Sequence, residues 1–148
     1  MITEFQPPYR WLSNFTPCSI SAFGAVFASV EHAYQAAKSS DPCIHVQFTG
    51  ITAGQAKRLG RKILVRADWD MIKLEVMRDL TRLKYETPEL RALLLATGDT
   101  HIIEGNTWGD TFWGVCDGRG LNHLGRIIMD TRGEIQNGLP QPNRVNKL

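Results

Sequence analysis

The stretch SVEHAYQAAKS (residues 29–39) reads as one helix. Glu31, Tyr34, Gln35 and Lys38 recur at i, i+3, i+4 and i+7 and so line one face. That face is polar without being uniformly charged. Val30, Ala33 and Ala37 form a small apolar stripe opposite it, which allows the helix to sit close against a neighbour. A short helix with four chemically able side chains on one stripe is an economical place for a site, and the rest of the chain is read outward from it.

Upstream, SISAFGAVFAS alternates around Gly24 and predicts a short hairpin. The start, FQPPYRWLSNFTP, mixes rings with proline and asparagine, as an irregular segment packed down by its aromatics does. Downstream, Asp41-Pro42 opens a second short helix. Thr52 is placed to cap the helix of AGQAKRLGRK. Asp68 is placed to cap a longer one over Trp69 to Tyr85, in which Trp69, Ile72, Val76, Leu80 and Leu83 recur at helical spacing and read as core. TPELRALLLATG has Thr87 as cap, Pro88 in the first turn and Gly98 as stop signal. HIIEGN and TFWGVC read as strands, and LNHLGRIIMDTRGEI as the last helix. The pattern predicts an α+β fold, a helix-rich single domain with a small β-sheet over residues 1–136, followed by a loose tail at 137–148.

The 148 residues suit one domain, and 43% hydrophobic with 22% charged residues is ordinary globular composition. No segment approaches the run of about 18 to 20 apolar residues needed to span a bilayer. MITEFQPPYRW lacks the layout of a secretory signal, so a cytoplasmic location is expected. Cys18, Cys43 and Cys116 are odd in number and have no C-x-x-C spacing, which argues for reduced thiols rather than a disulfide framework or a zinc site. His32, His45, His101 and His123 show no metal-ligand spacing, so no metal or other cofactor is expected. A net charge of +2 does not announce nucleic-acid binding. Lys57, Arg58, Arg61, Lys62 and Arg66 nevertheless fall within ten residues, either as a solvated helix face or as a local positive field for phosphate.

A second dense segment is IIEGNTWGDTFWGVCDGRGLNHLG, residues 102 to 125, with six glycines, two tryptophans, two asparagines and the acids Glu104, Asp110 and Asp117. Glycine permits close approach of a ligand, and Trp108 or Trp113 offers a flat face for a base or ribose to stack on. Gly118 and Gly120 precede the last helix, so a phosphate near its first amides is one reading. The βαβ context of a dinucleotide fingerprint is missing, and a Rossmann reading is rejected.

WLSNF (11–15), SVEHAYQAAK (29–38), LLLATGDTHIIE (93–104), DTFWG (110–114) and GRGLNHLGRIIMDTR (118–132) together resemble the NADAR superfamily, the YbiA-like N-glycosidases. The motifs fall in order and cover nearly the whole chain up to Arg132. Val115 and Cys116 after DTFWG, and Tyr85 where phenylalanine is common, depart from the pattern. The resemblance implies cleavage of a ribose C1–N bond. The substrate class is either phosphorylated ribosylamino-pyrimidine intermediates of riboflavin biosynthesis or ADP-ribosylated guanine in nucleic acid. Such a reaction takes a small-molecule ribosyl phosphate or ADP-ribosylated nucleic acid as its partner and involves no membrane.

Breaking that bond builds positive charge at C1 and the ring oxygen, which calls for a carboxylate nearby and a means of protonating the leaving base. Glu31 and Glu104 are the candidate carboxylates; unequal environments would leave one ionised and the other protonated. Lys38 offers a covalent route, because an amine with a lowered pKa attacks an opened sugar aldehyde. It lies two turns from Glu31, about 10 Å along the helix axis. Tyr34 and Gln35 lie between them as substrate contacts. Asn14, Trp108, Asp110, Trp113, Gly118, Gly120 and Asn122 complete the candidate set, with structural turn roles as the competing reading for the asparagines and for Asp110. A non-catalytic ADP-ribose or nucleotide-binding module is the rival reading, disfavoured by acids in a pocket for anions.

Overall fold

The structure, a computed structural model, describes residues 1–139. Most of the tail expected at 137–148 lies outside the described residues. The described residues form two compact units, one of residues 14–87 and the other of residues 1–13 with residues 88–139.

In the first unit the predicted hairpin forms from β1 (Ile20–Ala22) and β2 (Ala25–Phe27), antiparallel with Ile20 opposite Phe27 and Ala22 opposite Ala25. Phe23 and Gly24 both take positive φ, +54° and +72°, as a two-residue turn of this hand requires. Ile20, Ala22 and Phe27 point inward while Ser21 and Val26 face water. Helix α1 (Val30–Ala36) follows, capped by Ser29, whose Oγ accepts from His32 N, and by the main chain of Asn14, whose carbonyl accepts from Glu31 N at 3.0 Å. Asp41 caps α2 (Pro42–His45), and a 3-10 turn covers Val46–Phe48. Thr52 and Gln55 make a full capping box at the start of α3 (Ala53–Gly60), and α4 covers Trp69–Lys84. Helix α1 packs against α3, α4 and the hairpin.

Two expectations change in this unit. The helix read over 29–39 stops at Ala36, with Ala37 as C-cap, so Lys38 sits in the turn just beyond it, where its N–H reaches Gln35 O at 3.3 Å. And Asp68 does not cap α4: its carboxylate is held by Arg66, Nε at 2.6 Å and Nη2 at 3.0 Å, because a bidentate guanidinium outcompetes a single amide for it. Along α4, Trp69, Val76 and Leu80 are buried as their spacing predicts, whereas Ile72 and Leu83 are half-buried.

The end of α4 holds a buried lysine. Lys84 is 2% exposed, and burial pulls its ammonium down to about 7, with the Cys18 thiol opposing that shift. Burial also pushes the Tyr85 hydroxyl and the Cys18 thiol up. An unfolded Lys84 keeps its proton to about 10.4. Between these values the unfolded state binds one more proton than the folded one, so Lys84 makes stability rise with pH by up to about 1.4 kcal/mol per unit. Urea unfolding at pH 6.5, 8 and 9.5 checks this: Lys84→Met removes that rise and is the more stable protein at pH 6.5. Parallel pH dependences of parent and variant would contradict it.

In the second unit a 3-10 turn at Arg10–Leu12 marks the irregular start, and Ile2 bridges to Ile102 in parallel. Helix α5 covers Pro88–Ala96, and Gly98 beyond it takes φ +55°, the left-handed conformation of a helix stop. Helix α6 (His123–Gln136) packs against α5, and Arg132 Nη1 on it donates to Thr97 Oγ1 at 2.7 Å and Thr100 O at 2.9 Å. The two strands read over HIIEGN and TFWGVC shrink to β3 (Gly105–Asn106) and β4 (Val115–Cys116), paired in parallel. Polar turns take the rest: Asn106 and Asp110 bind the intervening main chain and fold it away from any ladder. The described residues thus form six helices with two separate two-stranded sheets, an α+β fold. Among them no helix is long and apolar enough to cross a membrane.

Candidate active site

Helix α1 gathers the chemistry of the first unit. All seven of its residues are buried, so its polar stripe is not a solvated face: Glu31 and Gln35 are as enclosed as Val30 and Ala33. Gln35 Nε2 donates to Glu31 Oε1 at 2.8 Å, one turn apart. Burial raises the Glu31 carboxyl above its ordinary value, while Gln35, Lys57, Lys38 and His32 each favour the ionised form and partly offset that shift. His32 is occupied on both ring nitrogens, by Ser29 Oγ at 2.6 Å and Ile51 O at 2.7 Å, and so acts as a strut.

Lys38 is half-buried, and burial lowers its ammonium below the usual lysine value. Glu31 opposes this, and Arg61, Lys57 and Lys73 add to it through like-charge repulsion. Its Nζ lies 5.9 Å from the centre of the Tyr34 ring, and the Trp69 ring stands 5.1 Å from that ring at 57°. Lys57 Nζ lies 6.0 Å from the Phe15 ring. The Asn14 side-chain Nδ2 donates to Met77 Sδ at 3.4 Å and its main-chain carbonyl accepts from Glu31 N, which makes it a support for the start of α1. Glu31, Tyr34, Gln35, Lys38 and Asn14 therefore share one neighbourhood of one unit.

The residues of the second unit hold one another. Asn122, at φ +53°, places its buried side chain between two main-chain groups, accepting from Glu104 N at 3.0 Å and donating to Ile102 O at 3.0 Å. Glu104 O accepts from Val115 N at 2.9 Å. A Cβ on Gly114 would overlap Glu104 O and Oε2, so this glycine lets the carboxyl lie flat on the chain. Asp110 Oδ1 accepts from Phe112 N at 3.1 Å and Trp113 N at 2.9 Å, an Asx turn. The half-buried Trp113 meets Phe112 edge-on, centroids 4.9 Å apart, while Trp108 is 63% exposed.

Gly118 follows Asp117 in a tight turn closed by Cys116 and Arg119, and at Gly120 the chain passes so near Gly114 O that no Cβ fits. The phosphate expected at the start of α6 meets competition, since His123 N and Leu124 N already donate to Phe112 O and Trp113 O. Sequence reading missed Gly60, Gly114 and Lys84. The two glycines carry no signal of their own without a view of what stands opposite them, and a lysine at the end of an amphipathic helix looks like any C-terminal cation.

The family model of the NADAR domain matches residues 2–136, through both units. An N-glycosidase of Nostoc punctiforme is 40% identical over 139 residues, covering 88% of each chain. The N-glycosidase YbiA of Escherichia coli is 35% identical over 132 residues, 86% of this chain and 82% of that one. A riboflavin biosynthesis protein of Vibrio vulnificus is 43% identical over 137 residues, and there the match spans 89% of this chain but 37% of the longer protein. The NMR structure of Escherichia coli YbiA superimposes with a TM-score of 0.80 at 32% identity, over 93% of this chain and 84% of that one. With the family model matching nearly end to end and the fold shared, the chain belongs to the NADAR domain family.

Proposed function

We propose that this protein is an N-glycosidase that hydrolyses the ribose C1–N bond of a phosphorylated N-ribosyl compound. The observation that carries this reading is the α1 neighbourhood: a buried Glu31 carboxylate, the half-buried Lys38 and the cations Lys57, Arg61 and Lys73 acting on one another. Ionised Glu31 stabilises the positive charge that develops at C1, in a site where burial strengthens the interaction. The cations suit the phosphate of the substrate. Tyr34 and Gln35 border the same space, and the names of the relatives, N-glycosidase and riboflavin biosynthesis protein, support the reaction class.

Lys38 supplies a covalent route. The ring opens first: the C1–O4′ bond breaks as the base nitrogen forms C1=N and O4′ takes a proton. The neutral Lys38 amine then adds to C1, and the base leaves on its own nitrogen with a proton as the lysine nitrogen forms C1=N, the imine. Water then adds at C1 and releases the lysine. Asn14 supports α1 beneath this site. In the second unit, Asn122, Asp110, Gly118 and Gly120 shape the segment that carries Trp108, Trp113 and Glu104, and Glu104→Gln reports by its own rate whether the second carboxyl takes part.

The test offers the purified protein an ADP-ribosylated guanine oligonucleotide and a ribosylamino-pyrimidine phosphate, and follows release of ADP-ribose or ribose phosphate. Turnover of either upholds the reading and assigns the substrate class. Tight binding of both without product would replace it with an ADP-ribose or nucleotide-binding module.

A further inference from the structure

Gly60, the last residue of α3, stands directly against the amide of Gln35. A Cβ at position 60 would overlap Gln35 Oε1 and Cδ and crowd its Cβ. Gln35 is 5% exposed, its Nε2 donates to Glu31 Oε1 at 2.8 Å, and its Oε1 has no hydrogen-bond partner within the protein. The amide is therefore pinned between two groups: the carboxylate it donates to on α1, and the bare Cα of Gly60 on α3, which permits the close approach. Gly60 does not take the positive φ of a helix-stop glycine, so the position is explained by what faces it.

We infer that Gly60 and Gln35 form a positioning pair that fixes the Glu31 carboxylate for the glycosidase reaction, Gly60 acting through Gln35 and neither as a catalytic residue. This rests on the reading of Glu31 given above. Any side chain at position 60 drives the Gln35 amide aside, because the amide is the movable party and the helix backbone is not. The displaced amide gives up its hydrogen bond to Glu31, the contact that most favours the ionised carboxyl. The other titratable groups acting on Glu31 are Lys57 from α3, and Lys38 and His32 from its own segment; Arg61, just past α3, and Lys73 from α4 act on Lys38. The elements β1, β2 and Val46–Phe48, also packed on α1, contribute no ionisable side chain. Gly60→Ala leaves this set in place and removes one hydrogen bond.

The experiment measures kcat/KM against pH for the parent, Gly60→Ala, Gln35→Ala and the double variant, with circular dichroism and melting of each. A charge-assisted hydrogen bond is worth about one pH unit on the acid it serves. Both single variants are expected to move the acid limb upward by about that much, and the double variant to move it no further. In the Gln35→Ala background only the Cβ at position 35 still crowds the new methyl, so Gly60→Ala is expected to lower the melting temperature less there than in the parent. A merely structural role for Gly60 moves the melting temperature but not the acid limb, and that result would overturn the inference, as would additive shifts in the double variant. An active Glu31→Gln would instead overturn the reading on which it rests, so the two failures are separable.

Discussion

Glu31→Gln is expected to fold as the parent does and to turn over N-ribosyl substrate about 10²- to 10⁴-fold more slowly, the range for loss of one positioned carboxyl. The substitution keeps the shape of the side chain and an oxygen for Gln35 Nε2 to donate to, so the pairing along α1 survives. It removes only the charge. The sign of the stability effect follows from burial, which raises the folded carboxyl above its unfolded value. Below the unfolded value both states are protonated and Glu31 costs nothing. As pH rises through the folded value, the cost of burying the charge appears in full. Glu31→Gln is thus equal to or more stable than the parent at pH 8, and its advantage disappears at low pH. Single-turnover rates together with melting curves at about pH 3.5 and 8, on either side of the unfolded value of about 4.3, measure both quantities. A variant of parental activity would remove Glu31 from the mechanism; an unfolded one would make Glu31 structural.

Lys38→Ala carries the second large effect. If its amine bonds to C1, its loss lowers turnover by about 10³-fold or more, the order associated with removing an activated nucleophile. Borohydride added during turnover reduces the imine, and the adduct maps to Lys38 by peptide mass. The pH dependence has a defined direction: burial and the cations Arg61, Lys57 and Lys73 lower the ammonium, so the neutral amine gains population, and the rate rises, as pH climbs toward that lowered value. Lys84 makes this a discriminating experiment. It is the more strongly shifted lysine, drawn to about 7, yet it is 2% exposed and faces Cys18. An adduct on Lys84 would contradict the assignment, and turnover by Lys38→Ala without any trapped species would leave Glu31 acting electrostatically.

The helices and their caps were legible in the sequence wherever a short-range rule governs. Thr52 as a cap, Asp41-Pro42 as a helix start and the hairpin around Gly24 all form where their residue types place them. Asp68 failed as a cap because Arg66, two residues away, is a stronger partner than an amide, and no local rule ranks the two. The strands at HIIEGN and TFWGVC were over-read, since hydrophobic alternation does not register that Asn106 and Asp110 spend their side chains on the main chain. At the site, the i, i+4 spacing of Glu31 and Gln35 puts their side chains in contact, whereas the burial of the whole of α1 was not visible from one helix, because it depends on α3, α4 and the hairpin arriving from elsewhere in the chain. Gly60 illustrates the same limit: its meaning lies entirely in the residue it faces.

Hydrolysis in ¹⁸O-water tests the central claim most directly. The purified protein is incubated with each N-ribosyl substrate and the products are weighed by mass spectrometry. Cleavage of the C1–N bond, by either route, releases an unlabelled base and a sugar that carries ¹⁸O at C1. Label found in released inorganic phosphate, with the base still attached to its ribose, would contradict the account.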